Sequence, residues 1–116
     1  MKNLFCDTQD LTNEASVEAL FVERLLKALG YPDNHVRRKE RLQEIVIGRG
    51  SSKEKYKPDY VLMDSAGNPK VVLDAKAPQE DLEAFHYQVS SYALHLNQSF
   101  EDSNPVLYAC LTNGFS

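Results

Sequence analysis

Lys57-Pro58-Asp59-Tyr60-Val61-Leu62-Met63 and Lys70-Val71-Val72-Leu73-Asp74-Ala75-Lys76, joined by Asp64-Ser65-Ala66-Gly67-Asn68-Pro69, decide how this chain is read. Both flanks are rich in aliphatic and β-branched residues, whereas the middle collects Asp, Ser, Gly, Asn and Pro. The stretch therefore predicts two antiparallel strands, 59–63 and 70–76, closed by a turn. Side chains alternate faces along a strand, so Asp59 shares a face with Val61 and Met63, and Asp74 and Lys76 share one with Val72. Asp59 opens its strand and Lys76 closes its own. Antiparallel pairing then gathers Asp59, Asp74 and Lys76 at the open end of the hairpin, away from the turn.

That set of residue types points to one chemistry. Converging carboxylates repel unless a cation lies between them, and oxygen-only ligands select a hard ion, Mg²⁺ with Mn²⁺ as a substitute. Such an ion holds a phosphate oxygen and acidifies a bound water, while a lysine beside it offsets charge on the phosphorane. The combination suits phosphodiester hydrolysis. Asp74 follows Val71-Val72-Leu73, which reads as a buried central strand, and a carboxylate there is costly without a partner. No serine or cysteine nucleophile with a base partner competes for the role. Gly48-Arg49-Gly50 is too short for a phosphate-binding loop, and no Walker lysine motif is present.

Working outward, a first helix begins at Thr12-Asn13, either of which can cap it. Val17, Leu20, Phe21, Leu25, Ala28 and Leu29 form its apolar stripe, and Gly30 and Pro32 end it. Ile45-Val46-Ile47 reads as the core of a strand that could begin as early as Val36, followed by a loop over 48–57. A second helix over 79–97 buries Leu82, Phe85, Val89, Tyr92, Ala93 and Leu96. Residues 106–111 form a last strand. The order α-β-β-β-α-β predicts an α/β (α+β) fold with a mixed central sheet flanked by helices. The 116 residues fit a single domain, 1–116.

The formal charge of −4 argues against a nucleic-acid partner until its distribution is considered. Residues 37–57 carry eight basic side chains (Arg37, Arg38, Lys39, Arg41, Arg49, Lys53, Lys55 and Lys57) against three acids, a net +5 that leaves −9 elsewhere. A local basic patch on an acidic protein can still meet a polyanion, so these eight are the candidate DNA-binding residues. Cys6 and Cys110 form no metal or disulfide motif. His86 and His95 are nine residues apart, which places them on opposite faces of a helix and argues against a histidine zinc site. No membrane span and no signal peptide are legible, which predicts a cytoplasmic location.

At these residues the chain resembles the PD-(D/E)xK nuclease superfamily, and within it the N-terminal nuclease domain of the restriction (R) subunit of type I restriction enzymes. The stretches that carry the resemblance are Asn13-Glu14-Ala15, Leu25-Leu26-Lys27-Ala28-Leu29-Gly30-Tyr31, Lys57-Pro58-Asp59-Tyr60-Val61-Leu62, Val72-Leu73-Asp74-Ala75-Lys76-Ala77-Pro78, Gln88-Val89-Ser90-Ser91-Tyr92 and Leu111-Thr112-Asn113-Gly114. The resemblance covers nearly all of the chain from residue 13 onward and implies a restriction-endonuclease-like core. It implies Asp59, Asp74 and the Ala75 carbonyl as metal ligands and Lys76 as the catalytic lysine. A first-helix glutamate completes the cluster, Glu14 or Glu18, with Glu18 slightly favoured as the deeper in the helix. Gln88 and Tyr92 would position the cluster or the DNA backbone.

The activity so implied is Mg²⁺-dependent endonucleolytic cleavage of double-stranded DNA. Sequence choice would come from methyltransferase and specificity subunits, and ATP would be used only by a downstream motor absent from this chain. On this reading the chain is the N-terminal fragment of a larger restriction subunit. Two other readings stay open on the residues: a nuclease-like module that only grips DNA, and a repair or recombination nuclease of the same fold.

Overall fold

The computed structural model describes residues 5–42, 45–47, 54–98 and 105–115. Asn13 starts the first helix. Its side chain accepts from the Ser16 N–H at 2.8 Å, and Ser16 Oγ accepts from the Asn13 N–H at 3.0 Å. This capping box satisfies two amide donors at the helix start. The helix runs through α1 (Glu14–Val17), a π-turn (Glu18–Val22) and α2 (Glu23–Ala28). It stops at Gly30, whose φ of +86° is the left-handed conformation that glycine adopts most cheaply.

The π-turn changes which residues face inward. The expected stripe is only partly realised: Val17, Val22 and Leu26 are buried, Leu20, Phe21 and Leu25 are half-buried, and Ala28 and Leu29 are exposed. In the π-turn the Glu23 N–H reaches back five residues to the Glu18 carbonyl. One extra residue in a turn rotates everything beyond it by about 100° relative to a regular helix. The buried spacing therefore becomes five (Val17 to Val22) and then four (Val22 to Leu26).

Among the described residues, six strands follow the helix: β1 (Val36–Arg38), β2 (Ile45–Ile47), β3 (Glu54–Tyr56), β4 (Tyr60–Met63), β5 (Pro69–Ala75) and β6 (Tyr108–Thr112). Four of them make a mixed sheet in the order β1-β4-β5-β6, antiparallel across β1/β4 and β4/β5 and parallel across β5/β6. The strand read at Ile45-Val46-Ile47, with a start that could lie as early as Val36, does not reach back to Val36: the two ends are separate strands. A 3₁₀ turn at Lys39–Arg41 follows β1, and β2 pairs instead with β3 in a separate antiparallel ribbon. Residues 54–56 were expected within a loop. Glu54-Lys55-Tyr56 shows no apolar alternation, and its strand is made by backbone pairing, which that alternation does not report. The second helix begins as a 3₁₀ turn (Leu82–Phe85), which Asp81 caps by accepting from the Glu83 N–H at 3.1 Å, and continues as α3 (His86–Asn97).

The result is a mixed α/β fold in three layers. Val17, Val22 and Leu26 of the first helix pack with Tyr60, Leu62, Leu73 and Ala75 on one face of the sheet. Val89 and Tyr92 of α3 pack with Val61, Val72 and Tyr56 on the other. No helix among the described residues is long and apolar enough to cross a membrane.

β6 leads into Gly114, with φ +88°, where a Cβ would collide with the Leu11 side chain just before the helix cap. Gly114→Ala should therefore lower stability by about 1–2 kcal/mol, from the left-handed backbone and the lost close approach together. Chemical denaturation would measure it, and an unchanged midpoint would show that neither the left-handed backbone nor the approach to Leu11 limits this position.

Candidate functional site

β5 is an interior strand, so Asp74 and Ala75 at its end are enclosed on both sides. The β4/β5 ladder reaches Tyr60 opposite Leu73, and beyond that pair side chains take over from backbone. The Asp59 N–H donates to Asp74 Oδ1 at 3.3 Å, and the Ala75 N–H donates to Asp59 Oδ2 at 2.7 Å. Both aspartates are only 2% exposed. Each thus accepts a backbone amide with one oxygen. The other oxygens, Asp59 Oδ1 and Asp74 Oδ2, have no hydrogen-bond partner of good geometry among the described residues. Each instead has a lysine ammonium 3.0 Å away, Lys39 Nζ for Asp59 Oδ1 and Lys76 Nζ for Asp74 Oδ2. These are contacts of charge rather than of direction.

Glu14 joins them from the first helix, one residue past the Asn13 cap. One carboxylate oxygen each from Glu14, Asp59 and Asp74 lie within 4.8 Å of one another. Around a Mg²⁺ ion with oxygens at about 2.1 Å, ligand pairs are roughly 3–4.2 Å apart, so a small closure would let these three hold one cation. Among the described residues this is the one such group of histidine, cysteine, aspartate or glutamate side chains. Glu18 lies one turn on, against Asp59, and lines with Lys39, Asp59 and Tyr60 a cleft of about 310 Å³ beside the cluster.

The carboxylates hold protons unequally. Burial pushes Asp74 up to about 7, reinforced by the hydrogen bond and charge of Asp59. Burial and then the Asp59 hydrogen bond push Glu18 up to about 8, and burial followed by the Asp59 charge raises Glu14. Burial opposes ionisation of Asp59 too, but the close polar contacts of Asp74, the Ala75 N–H, Glu18 and the Lys39 ammonium outweigh it and hold its pKa below the usual range. Asp59 is the anion around which its neighbours keep protons, as expected of carboxylates crowded into one buried site.

Lys76 is held from two sides. Its ammonium sits on Asp74 and lies 4.2 Å from the centre of the Phe85 ring and 6.0 Å from that of Tyr56. The Tyr56 hydroxyl is buried and has no hydrogen-bond partner of good geometry among the described residues, and burial and then the Asp74 charge push its pKa far upward. The Tyr56 hydroxyl is thus a buried donor close to the Asp74 carboxylate.

Of the residues singled out in the sequence, Asp59, Asp74, Lys76 and Glu14 therefore converge, with Glu18 adjacent and Ala75 between the two aspartates. Tyr92 is buried in the α3 core, its ring edge-on to Tyr56 with centroids 6.3 Å apart, and Gln88 is half-buried one turn earlier. The basic segment divides. Arg38 makes a two-pronged bond to Glu23 at 2.7 and 3.1 Å and approaches Asp33 at 3.5 Å, so its charge is committed to carboxylates of the same chain. Lys39 belongs to the acidic cluster, Arg37 and Arg41 are exposed, and Lys57 is half-buried. Arg49, Lys53 and the Lys55 side chain lie outside the described residues.

Sequence reasoning missed Tyr56, read as loop, and the roles of Lys39 and Phe85. Phe85 could be found only as an apolar helix position. Lys39, twenty residues before Asp59, carries no local signal at all. Comparison with protein-family models, with curated proteins and with solved structures finds no match to this chain.

Asp74 and Glu18 have folded-state pKa values of about 7 and about 8, above their ordinary values of 3.8 and 4.5. The folded chain thus keeps protons that the unfolded chain loses, so stability falls as pH rises from about 4 to about 8. Without divalent cations, Asp74→Asn should stabilise the protein at about pH 8 by on the order of 1–2 kcal/mol and flatten that decline, because the amide can still accept from the Asp59 N–H. Thermal melts across the range test this. An asparagine variant less stable than wild type at high pH would give Asp74 a purely architectural role.

Proposed function

We propose that this chain is a divalent-metal-dependent DNA nuclease domain with a restriction-endonuclease-like core, of the kind that forms the cleavage domain of a type I restriction subunit. The observation that carries the reading is the convergence of Glu14, Asp59 and Asp74 within 4.8 Å, with Lys76 Nζ 3.0 Å from Asp74. The order of the elements and the mixed sheet are compatible with that core.

Each residue has a role that follows from its surroundings. Glu14, Asp59 and Asp74 would hold Mg²⁺, which when bound supplies a polarised phosphate and a more acidic water. Ion binding would favour the ionised carboxylates and release the protons that Asp74 and its neighbours keep. Lys76, steadied by Phe85, is placed to orient the attacking water or to offset charge gathering on the phosphate oxygens. The buried Tyr56 hydroxyl offers one further donor at the same place. Exposed Arg37 and Arg41 provide charge for the backbone of double-stranded DNA, a contact that carries no sequence preference. Sequence choice would then belong to specificity and methyltransferase partners, and translocation to an ATP-driven motor.

Nicking of supercoiled plasmid in Mg²⁺ or Mn²⁺ tests the proposal. Wild type should nick, chelation should stop it, and Asp74→Ala and Lys76→Ala should each lose at least about a hundredfold in rate while remaining folded by circular dichroism. Undiminished nicking by either variant would sink the assignment. Preferential cutting of branched over linear and circular DNA would move the reading to a repair or recombination nuclease.

A further inference from the structure

Lys39 stands apart from the basic side chains around it. Among the described residues of 37–57, it is the one whose ammonium forms an ion pair with a cluster carboxylate, 3.0 Å from Asp59 Oδ1. Its backbone is pinned at the same place, since the Lys39 N–H donates to the Asp59 carbonyl at 2.9 Å. Its side chain is half exposed, at 50%, whereas the carboxylate it meets is buried. One end of the residue is therefore anchored beside the cluster while the other can swing into solvent.

The oxygen it occupies matters. Asp59 Oδ2 already accepts the Ala75 N–H at 2.7 Å, so Oδ1, with no backbone donor, is the oxygen more open to a cation. Lys39 sits on that oxygen. Two cations cannot share one carboxylate oxygen at close range without strong repulsion. Neither can a buried Asp59 be left without a positive partner at low cost.

Resting on the metal-site reading above, we propose that Lys39 is a resident counter-ion that competes with the divalent cation for Asp59 Oδ1. It balances Asp59 when no metal is bound, gives way when metal arrives, and so sets the metal affinity of the site. This role is distinct from that of a phosphate-contacting lysine, which would leave metal affinity in the absence of DNA unchanged.

Calorimetric titration with Mn²⁺ alone, without DNA, tests it. Lys39→Gln should bind Mn²⁺ on the order of five- to tenfold more tightly than wild type, because the competitor is gone. Lys39→Arg, which keeps the charge, should stay near wild type. Arg37→Gln removes the same charge from an exposed neighbour and should change affinity by less than about twofold, since solvent screens it. Melting curves add a readout independent of titration: Lys39→Gln should be less stable than wild type without metal and should gain more from Mn²⁺. If wild type binds Mn²⁺ and Lys39→Gln binds no tighter, or if Arg37→Gln tightens binding as much, this inference alone falls. If neither wild type nor Lys39→Gln binds Mn²⁺, the nuclease reading falls with it.

Discussion

Two hydrogen bonds hold the end of the β4/β5 hairpin: the Ala75 N–H to Asp59 Oδ2 and the Asp59 N–H to Asp74 Oδ1. They extend the ladder by one step after the backbone carbonyls cease to pair. The cost of this device is that two carboxylates become buried a few ångströms apart. Everything nearby answers that cost. Lysine ammoniums sit on the remaining oxygens, and protons stay on Asp74 and Glu18 to a pH at which free carboxylates have lost them. An architectural bond and a chemically poised site are thus one arrangement, in which the backbone fixes one oxygen of each aspartate and leaves the other for a cation.

The site also lies where the layers meet. Glu14 arrives from the helix on one face of the sheet, set in place by the Asn13–Ser16 capping box. Phe85 and Tyr56 belong to the helix and ribbon side, and they flank Lys76. The sheet alone supplies Asp74 and, at the mouth of β4, Asp59. Each layer contributes a different chemical property: an acid from one side, sheet aspartates in the middle, and an aromatic support for the lysine from the other. The π-turn at Glu18–Val22 lies in the helix that delivers Glu14, and by rotating the later turns it lets Val22 and Leu26 pack on the sheet while Glu14 and Glu18 remain beside Asp59.

Counting positive charge in a segment is a poor guide to where that charge acts. Residues 37–57 carry a net +5, yet Arg38 is held by Glu23 and Lys39 by Asp59. Two of the eight basic side chains therefore neutralise internal carboxylates. Partnering of this kind depends on which acids the fold brings alongside, and the spacing of Arg38 from Glu23 or of Lys39 from Asp59 does not disclose it.

What the sequence by itself determined was whatever depends on neighbours along the chain. The hairpin, its turn, the convergence of Asp59, Asp74 and Lys76, a first helix starting at Thr12-Asn13 and ending at Gly30, and the apolar face of α3 all follow from periodicity and local turn chemistry. Tertiary structure alone decided the rest. It split the strand between Val36 and Ile47, paired β2 with β3, turned the first helix through a π-turn, brought Glu14 into the acidic group, placed Lys39 on Asp59 and buried the Tyr56 hydroxyl near Asp74. The physical reason is the same in each case. These features are settled by contacts between residues far apart in the chain, where packing and the neutralisation of buried charge outweigh any local preference.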